Sequence, residues 1–116
     1  MQAFVFDGQP RLRELRAPRL AACEALIRPH LVGICATDVE ITRGYKGWNP
    51  DEPHVLGHEF VGTVTECDDA QWIGRRVVGE INAACRACAT CLRGEVAHCP
   101  QRTTLGINQR DGALAE

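Results

Sequence analysis

No apolar run in the 116 residues approaches the roughly 18–20 residues that cross a bilayer, so a membrane-spanning segment is not expected. Residues 1–8 contain no basic stretch followed by a long apolar core, and an export signal is not expected there. An excess of one charge is missing too: 13 Lys and Arg face 15 Asp and Glu, for a net charge of -2. That balance gives no basis for recognising nucleic acid or an anionic membrane surface, and neither is an expected partner. There are no internal repeats and no low-complexity tract. The Gly-rich G-x-G-x-x-G turn that cradles a dinucleotide is also absent. What is left is a small globular chain, expected in the reducing cytoplasm, with enough residues for one modest core.

Short strands dominate the pattern along the chain. Residues 1–6 (MQAFVF) form an apolar run closed by Asp7-Gly8, which predicts a strand and turn. Leu12, Glu14 and Leu15 mark a weaker strand before Pro18. Residues 24–32 predict a third, in which Pro29 suits an edge position or a bulge. Residues 60–67 and 74–80 are β-rich, and residues 104–107 suggest a further short strand. Residues 113–116 begin what reads as another strand. The one helix expected before the cysteine-rich segment covers residues 37–43, with Thr37 as cap, Glu40 completing a capping box and Gly44 as stop. Residues 45–53, with Tyr45, Trp48 and Asn49, read as a loop that lines a pocket. Many short strands separated by Gly and Pro predict a β-barrel or sandwich core.

Cysteine is unusually frequent for a chain of this size, with seven in all. An odd number argues against a fully paired disulfide framework. In a reducing compartment, clustered thiols are more often metal ligands. Cys85, Cys88, Cys91 and Cys99 have the spacing C-x2-C-x2-C-x7-C. Two-residue spacers let neighbouring thiols turn toward one ion, and the fourth closes the loop. Four thiolates complete the zinc tetrahedron and leave no position for water, which is the pattern of a structural site. Spacing alone also accommodates an iron–sulfur cluster. His98 adjoins Cys99 and is a ligand in principle, although four thiols already suffice.

Cys35, His58 and Glu59 form a second constellation. Cys35 precedes the predicted helix, and His58 and Glu59 follow Gly57 at the start of a strand. One Cys, one His and a further ligand with a position left open is the composition of catalytic zinc. By spacing alone the bland alternative is core packing or surface, since free cysteine is commonly buried and inert. That alternative is adopted for Cys23 and Cys67.

Taken together, these motifs resemble the N-terminal, GroES-like domain of zinc-dependent medium-chain alcohol dehydrogenases. The family stretch Gly-His-Glu-x-x-Gly corresponds to Gly57-His58-Glu59-Phe60-Val61-Gly62. The upstream Cys, the hydroxyl residue two positions on and the following Asp correspond to Cys35, Thr37 and Asp38. The four-cysteine lobe follows in the family's order, so the resemblance covers nearly the whole chain. The sorbitol- and threonine-dehydrogenase-like branch is the closer match.

The resemblance implies a mainly β, GroES-like barrel over residues 1–116, with short helices and a four-cysteine zinc lobe. It implies catalytic zinc on Cys35 and His58, with Glu59 a direct or exchangeable ligand, and structural zinc on Cys85, Cys88, Cys91 and Cys99. Thr37 would contact a substrate hydroxyl and pass its proton outward. Asp38 would hold His58 by its other ring nitrogen. Several family members carry His at the position of Glu40, where it ends a proton relay. The implied activity is NAD- or NADP-dependent interconversion of a small alcohol or polyol with its carbonyl form, in a homo-oligomer. The family's cofactor-binding half is not found in these residues. The expectation is therefore a fragment, inactive and without NAD(P) binding by itself, with an unpaired strand edge that favours self-association. A stand-alone zinc module with a structural or partner-binding role is the alternative, but it leaves Cys35, Thr37, Asp38, His58 and Glu59 unexplained. A quinone-reductase-like relative is disfavoured, because those generally lack these ligands.

Overall fold

The computed structural model describes residues 1–45 and 53–116. The expected pocket residues Trp48 and Asn49 lie outside this set. The described residues are mainly β. In chain order the strands are β1 (Gln2–Phe6), β2 (Pro10–Glu14), β3 (Ala25–Gly33), β4 (His54–Val55), β5 (Glu59–Cys67), β6 (Arg76–Val78), β7 (Asn82–Ala83) and β8 (Thr103–Thr104). The helices are α1 (Ala36–Thr42) and α2 (Ala89–Leu92), and 3-10 turns cover Ala70–Trp72 and Val96–His98. No helix among the described residues is long and apolar enough to cross a membrane.

The strands form antiparallel sheets ordered β2-β1-β4 and β3-β5-β6, with a small β7-β8 ribbon beside them. The core gathers around the first sheet. Ala3, Val5 and Val55 pack with Leu15 and Ala115, and Phe6, Ile41 and Leu56 pack with Phe4, Ile107 and Leu114. Val5 and Ile41 are fully buried, and each such side chain contributes about 1.5–3 kcal/mol. This apolar centre pins α1 and the residues after β4 against β1. The segment 113–116 follows β1: Leu114 O accepts from Phe4 N–H at 2.7 Å, and Glu116 N–H donates to Gln2 O at 3.0 Å.

β3 is an edge strand with register shifts on both sides of Pro29, so both of the positions suited to this proline are realised. Opposite Pro29 is Gly62. A Cβ there would stand 2.6 Å from Arg28 O and from Ile27 Cγ2, so the close approach of β3 and β5 requires glycine.

Two expectations need correction. The helix begins one residue early, and Thr37 is not its cap. Cys35 is the N-cap, and Asp38, not Glu40, completes the capping box. The same x-x spacing simply recurs two residues upstream with sulfur as the cap acceptor. Glu40 instead pairs with Arg43 at 2.9 Å on an exposed face. Gly44 does stop the helix, at φ +98, with the amides of Gly44 and Tyr45 bonded back to Ile41 O and Glu40 O. The second correction concerns residues 104–107, where the strand ends at Thr104. Gly106 at φ +64 turns the chain back, so that Thr104 N–H bonds to Asn108 O at 2.8 Å.

Gly62→Ala should lower the unfolding free energy by about 1–3 kcal/mol, the usual cost of overpacking a tight contact. Urea denaturation measures this. A variant as stable as the parent would mean that β3 and β5 tolerate a wider separation.

Candidate metal centres and the family they belong to

Two clusters of metal-ligating side chains occur among the described residues: Cys85, Cys88, Cys91 and Cys99, and Cys35, His58 and Glu59. In each, the ligand atoms all lie within 4.8 Å of one another.

The four-cysteine lobe is built from turns. Arg86 takes the left-handed conformation at φ 58, uncommon for a residue with a side chain, and this folds the chain so that Cys88 N–H reaches Cys85 Sγ at 3.3 Å. α2 then carries Cys91 inward, and Cys99 closes the loop after the second 3-10 turn, with Cys85 N–H donating to Cys99 Sγ at 3.4 Å. The sulfur separations are 3.9 Å for Cys85–Cys91, 4.0 Å for Cys88–Cys99 and 3.6 Å for Cys85–Cys99. Four thiolates at 2.3 Å from one zinc stand about 3.8 Å apart in a regular tetrahedron. The lobe therefore fits a single ion. A cluster of several irons and sulfides would hold its thiolates further apart, and all seven cysteines are free of disulfides. His98 is exposed and not among the four.

The sulfurs differ electrostatically. Backbone amides of Ala87 and Cys88 directed at Cys85 bring its pKa down to about 6, whereas burial pushes the Cys91 thiol up to about 12. Cys85 is thus the readier of the two to act as a thiolate, and Cys91 holds its proton more tightly. A cation bound there must displace that proton, so binding strengthens as pH rises.

The second cluster brings together residues from two loops. Cys35 caps α1: its Sγ accepts from Thr37 N–H at 3.3 Å. His58 is carried by the turn at Gly57, whose φ of +91 suits glycine. His58 is buried, and its Nε2 lies 3.1 Å from Cys35 Sγ. Glu59 opens β5 on the exposed side, and its carboxylate occupies the space a Cβ on Gly33 would need. Three donors of mixed sulfur, nitrogen and oxygen type, one of them exposed, fit a zinc site with a position left for another ligand.

Asp38 organises this cluster. Its side chain is 4% exposed, and it accepts from Cys35 N–H at 3.0 Å and from Gly57 N–H at 3.3 Å. Its Oδ1 is also 3.4 Å from His58 Nδ1, a close approach that lacks hydrogen-bond alignment. Of the expected hold of Asp38 on the other ring nitrogen of His58, this approach is present and the hydrogen bond is not. Its bonds to both ligand-bearing loops were not foreseen. The C-x-x-D spacing carries that signal once cysteine is admitted as a cap. Thr37 offers its amide to the cap, and its hydroxyl is not used there.

Residues 21–116 match the family described as alcohol dehydrogenase GroES-like domain. The chain belongs to that family. The GroES-like domain is 38% identical to erythritol/L-threitol dehydrogenase of Mycolicibacterium smegmatis over 132 aligned residues, covering 99% of this chain and 36% of that protein. It is 39% identical to L-threonine 3-dehydrogenase of Streptomyces coelicolor, over 90% of this chain and 32% of that one. Among solved structures, the alcohol dehydrogenase TADH of Thermus sp. ATN1 aligns with a TM-score of 0.80 at 34% identity, over 99% of this chain and 34% of that one. An alcohol dehydrogenase of E. coli CFT073 complexed with NADH aligns at 0.85 and 28% identity, over 99% and 34%. These likenesses bear out the expected fold and the expected resemblance to the sorbitol- and threonine-dehydrogenase-like branch, the relatives being named threonine and erythritol/threitol dehydrogenases. The GroES-like domain spans about a third of the length of the relatives it matches.

Asp38→Asn should destabilise the domain by about 1–3 kcal/mol, because the amide group then presents N–H to a backbone N–H and leaves a buried donor unsatisfied. Thermal and urea unfolding read this. Unchanged stability would mean that the carboxylate does not hold the two loops.

Proposed function

We propose that residues 1–116 are the metal-holding catalytic part of an NAD- or NADP-dependent dehydrogenase of small alcohols or polyols. The observation that carries this reading is the pair of clusters: a closed set of four thiols, and an open set of Cys35, His58 and Glu59 beside Thr37. The first would hold a structural zinc, and the second a catalytic one. Zinc at an open site supplies Lewis-acid polarisation of an alcohol or carbonyl oxygen.

The chain's own residues do the rest. The Asp38 carboxylate fixes the loops that bear Cys35 and His58, and this places His58 with its Nε2 toward Cys35 Sγ. Thr37 follows Cys35 by two residues on the first turn of α1, where its hydroxyl would contact the substrate hydroxyl and take or return its proton. Glu59 adds negative charge at the exposed side and would serve as a direct or exchangeable ligand. Glu40 is given no relay role, since its carboxylate is engaged with Arg43 on the surface.

Hydride transfer needs a nicotinamide held close to the reacting carbon, and such positioning supplies on the order of 7–11 kcal/mol of a barrier. The NADH complex of the E. coli relative and the names of the matched dehydrogenases support a nicotinamide as the acceptor. The Gly-rich fingerprint does not occur in these 116 residues, so the cofactor would be bound by other parts of a longer enzyme. We read that enzyme as a cytoplasmic homo-oligomer, and the balanced charge of these residues supports no nucleic-acid or membrane partner.

The expected outcome is alcohol or polyol oxidation with NAD or NADP by a protein carrying these residues together with a nucleotide-binding half. Thr37→Ser should retain turnover, and Thr37→Ala should lower it roughly 100-fold or more, the usual contribution of a positioned proton-transfer group. Residues 1–116 alone should bind no NAD(P) in calorimetry. Undiminished turnover in a folded Thr37→Ala variant, or saturable micromolar NAD binding by residues 1–116, would contradict the reading.

A further inference from the structure

The loop that carries His58 is gripped from behind by the segment that follows β8. Ala113 N–H donates to Gly57 O, and Leu114 N–H to Leu56 O, both at 2.9 Å. Gly112 N–H donates to Val55 O at 2.8 Å. The packing is backbone on backbone. A Cβ on Gly112 would run into Leu56 O and Gly57 O, and one on Gly106 would run into Gly57 O. On the other side, a Cβ on Gly57 would stand 2.7 Å from Leu114 Cγ. Gly106 and Gly112, remote in sequence from Gly57, thus meet it at the peptide just before His58. Asp111 adds a further tie, accepting from Val55 N–H at 3.2 Å. Asp38 holds the same peptide from the other side through Gly57 N–H, so Gly57 has both of its backbone polar groups fixed.

We propose that Gly106 and Gly112 are positioning residues: their lack of a side chain lets residues 106–114 clamp the Gly57 peptide, and that clamp aims His58 at the ligand position shared with Cys35. This rests on the reading of Cys35, His58 and Glu59 as a metal site. Gly112 is the cleaner probe, because its φ is not in the left-handed region and the added methyl acts only through its contact with Leu56 and Gly57. Gly8 supplies the control. It sits at φ +97 with nothing within 4 Å of a would-be Cβ, so Gly8→Ala strains the fold without touching the clamp.

The test is competition for zinc between the chain and a chromophoric chelator, with thermal unfolding followed in parallel. In the parent, two equivalents should bind, the tighter one at the four-cysteine lobe. Gly112→Ala should weaken the second equivalent about tenfold or more, as loss of a group that orients a metal ligand does, and leave the first unchanged. Gly8→Ala should lower the melting temperature and leave both affinities unchanged. Equal affinities in Gly112→Ala and the parent would overturn the inference, as would a loss shared by both sites or matched by Gly8→Ala. Hydrogen exchange in the parent decides the case if Gly112→Ala does not fold. The Ala113 and Leu114 amides should gain protection as the second equivalent binds, and no gain would overturn the clamp. A parent that binds only one equivalent, at the lobe, would instead overturn the functional reading and this inference with it.

Discussion

Asp38 holds the candidate catalytic cluster together with one buried carboxylate. Its two oxygens take the amide of Cys35, which starts α1, and the amide of Gly57, which precedes His58. The two ligands are 23 residues apart in sequence, and the β3–β5 pairing, which ends with Gly33 opposite Glu59, sets their loops side by side. A buried carboxylate satisfied by two N–H groups is favourable only while both donors stay in place, because losing either leaves a desolvated charge short of partners. The constraint therefore acts both ways: the loops position the carboxylate, and the carboxylate fixes the loops. The core serves the same end. Ile41 anchors α1 and Leu56 anchors the end of β4 within a single apolar cluster that includes Phe6.

The two clusters solve different physical problems. In the lobe, four sulfurs already stand at separations suited to one tetrahedral ion, and short turns with little apolar packing hold them. Such a loop gains much of its order from the metal, so binding and folding are the same free energy there. The other cluster is set into the apolar core and a scaffold of hydrogen bonds among the chain's own groups. Its third donor, Glu59, is exposed. A preorganised site with an exchangeable side suits ligand turnover, whereas a closed site of thiolates suits permanent retention.

Much of this was legible in the sequence because the decisive residues are chemically rare. Four cysteines at metal-ligand spacing point to their chemistry without any structure, whereas Cys35 with Gly57-His58-Glu59 does so only through the family resemblance. Pro29 announced an edge or a bulge, and both occur. Tertiary features were harder to read. The capping box at Cys35 was hidden because cysteine is an unusual cap, and Thr37 with Glu40 offered a more familiar match at the same spacing. The short β8 was overextended because Gly106 reads as an ordinary residue in an apolar run until its positive φ is known. The packing of Gly106 and Gly112 on Gly57 has no local signature at all, since it depends on which backbones the fold brings into contact.

The central claim is that this one chain holds two zinc ions of different kinds. X-ray absorption at the zinc edge tests it most directly, on the chain loaded with one equivalent and then two. The account predicts that the first equivalent is surrounded by four sulfur atoms at about 2.3 Å, and that the second adds a mixed shell of sulfur with nitrogen and oxygen at about 2.0–2.2 Å. A second equivalent that adds no mixed-donor shell, or a first one bound by nitrogen and oxygen, would contradict it.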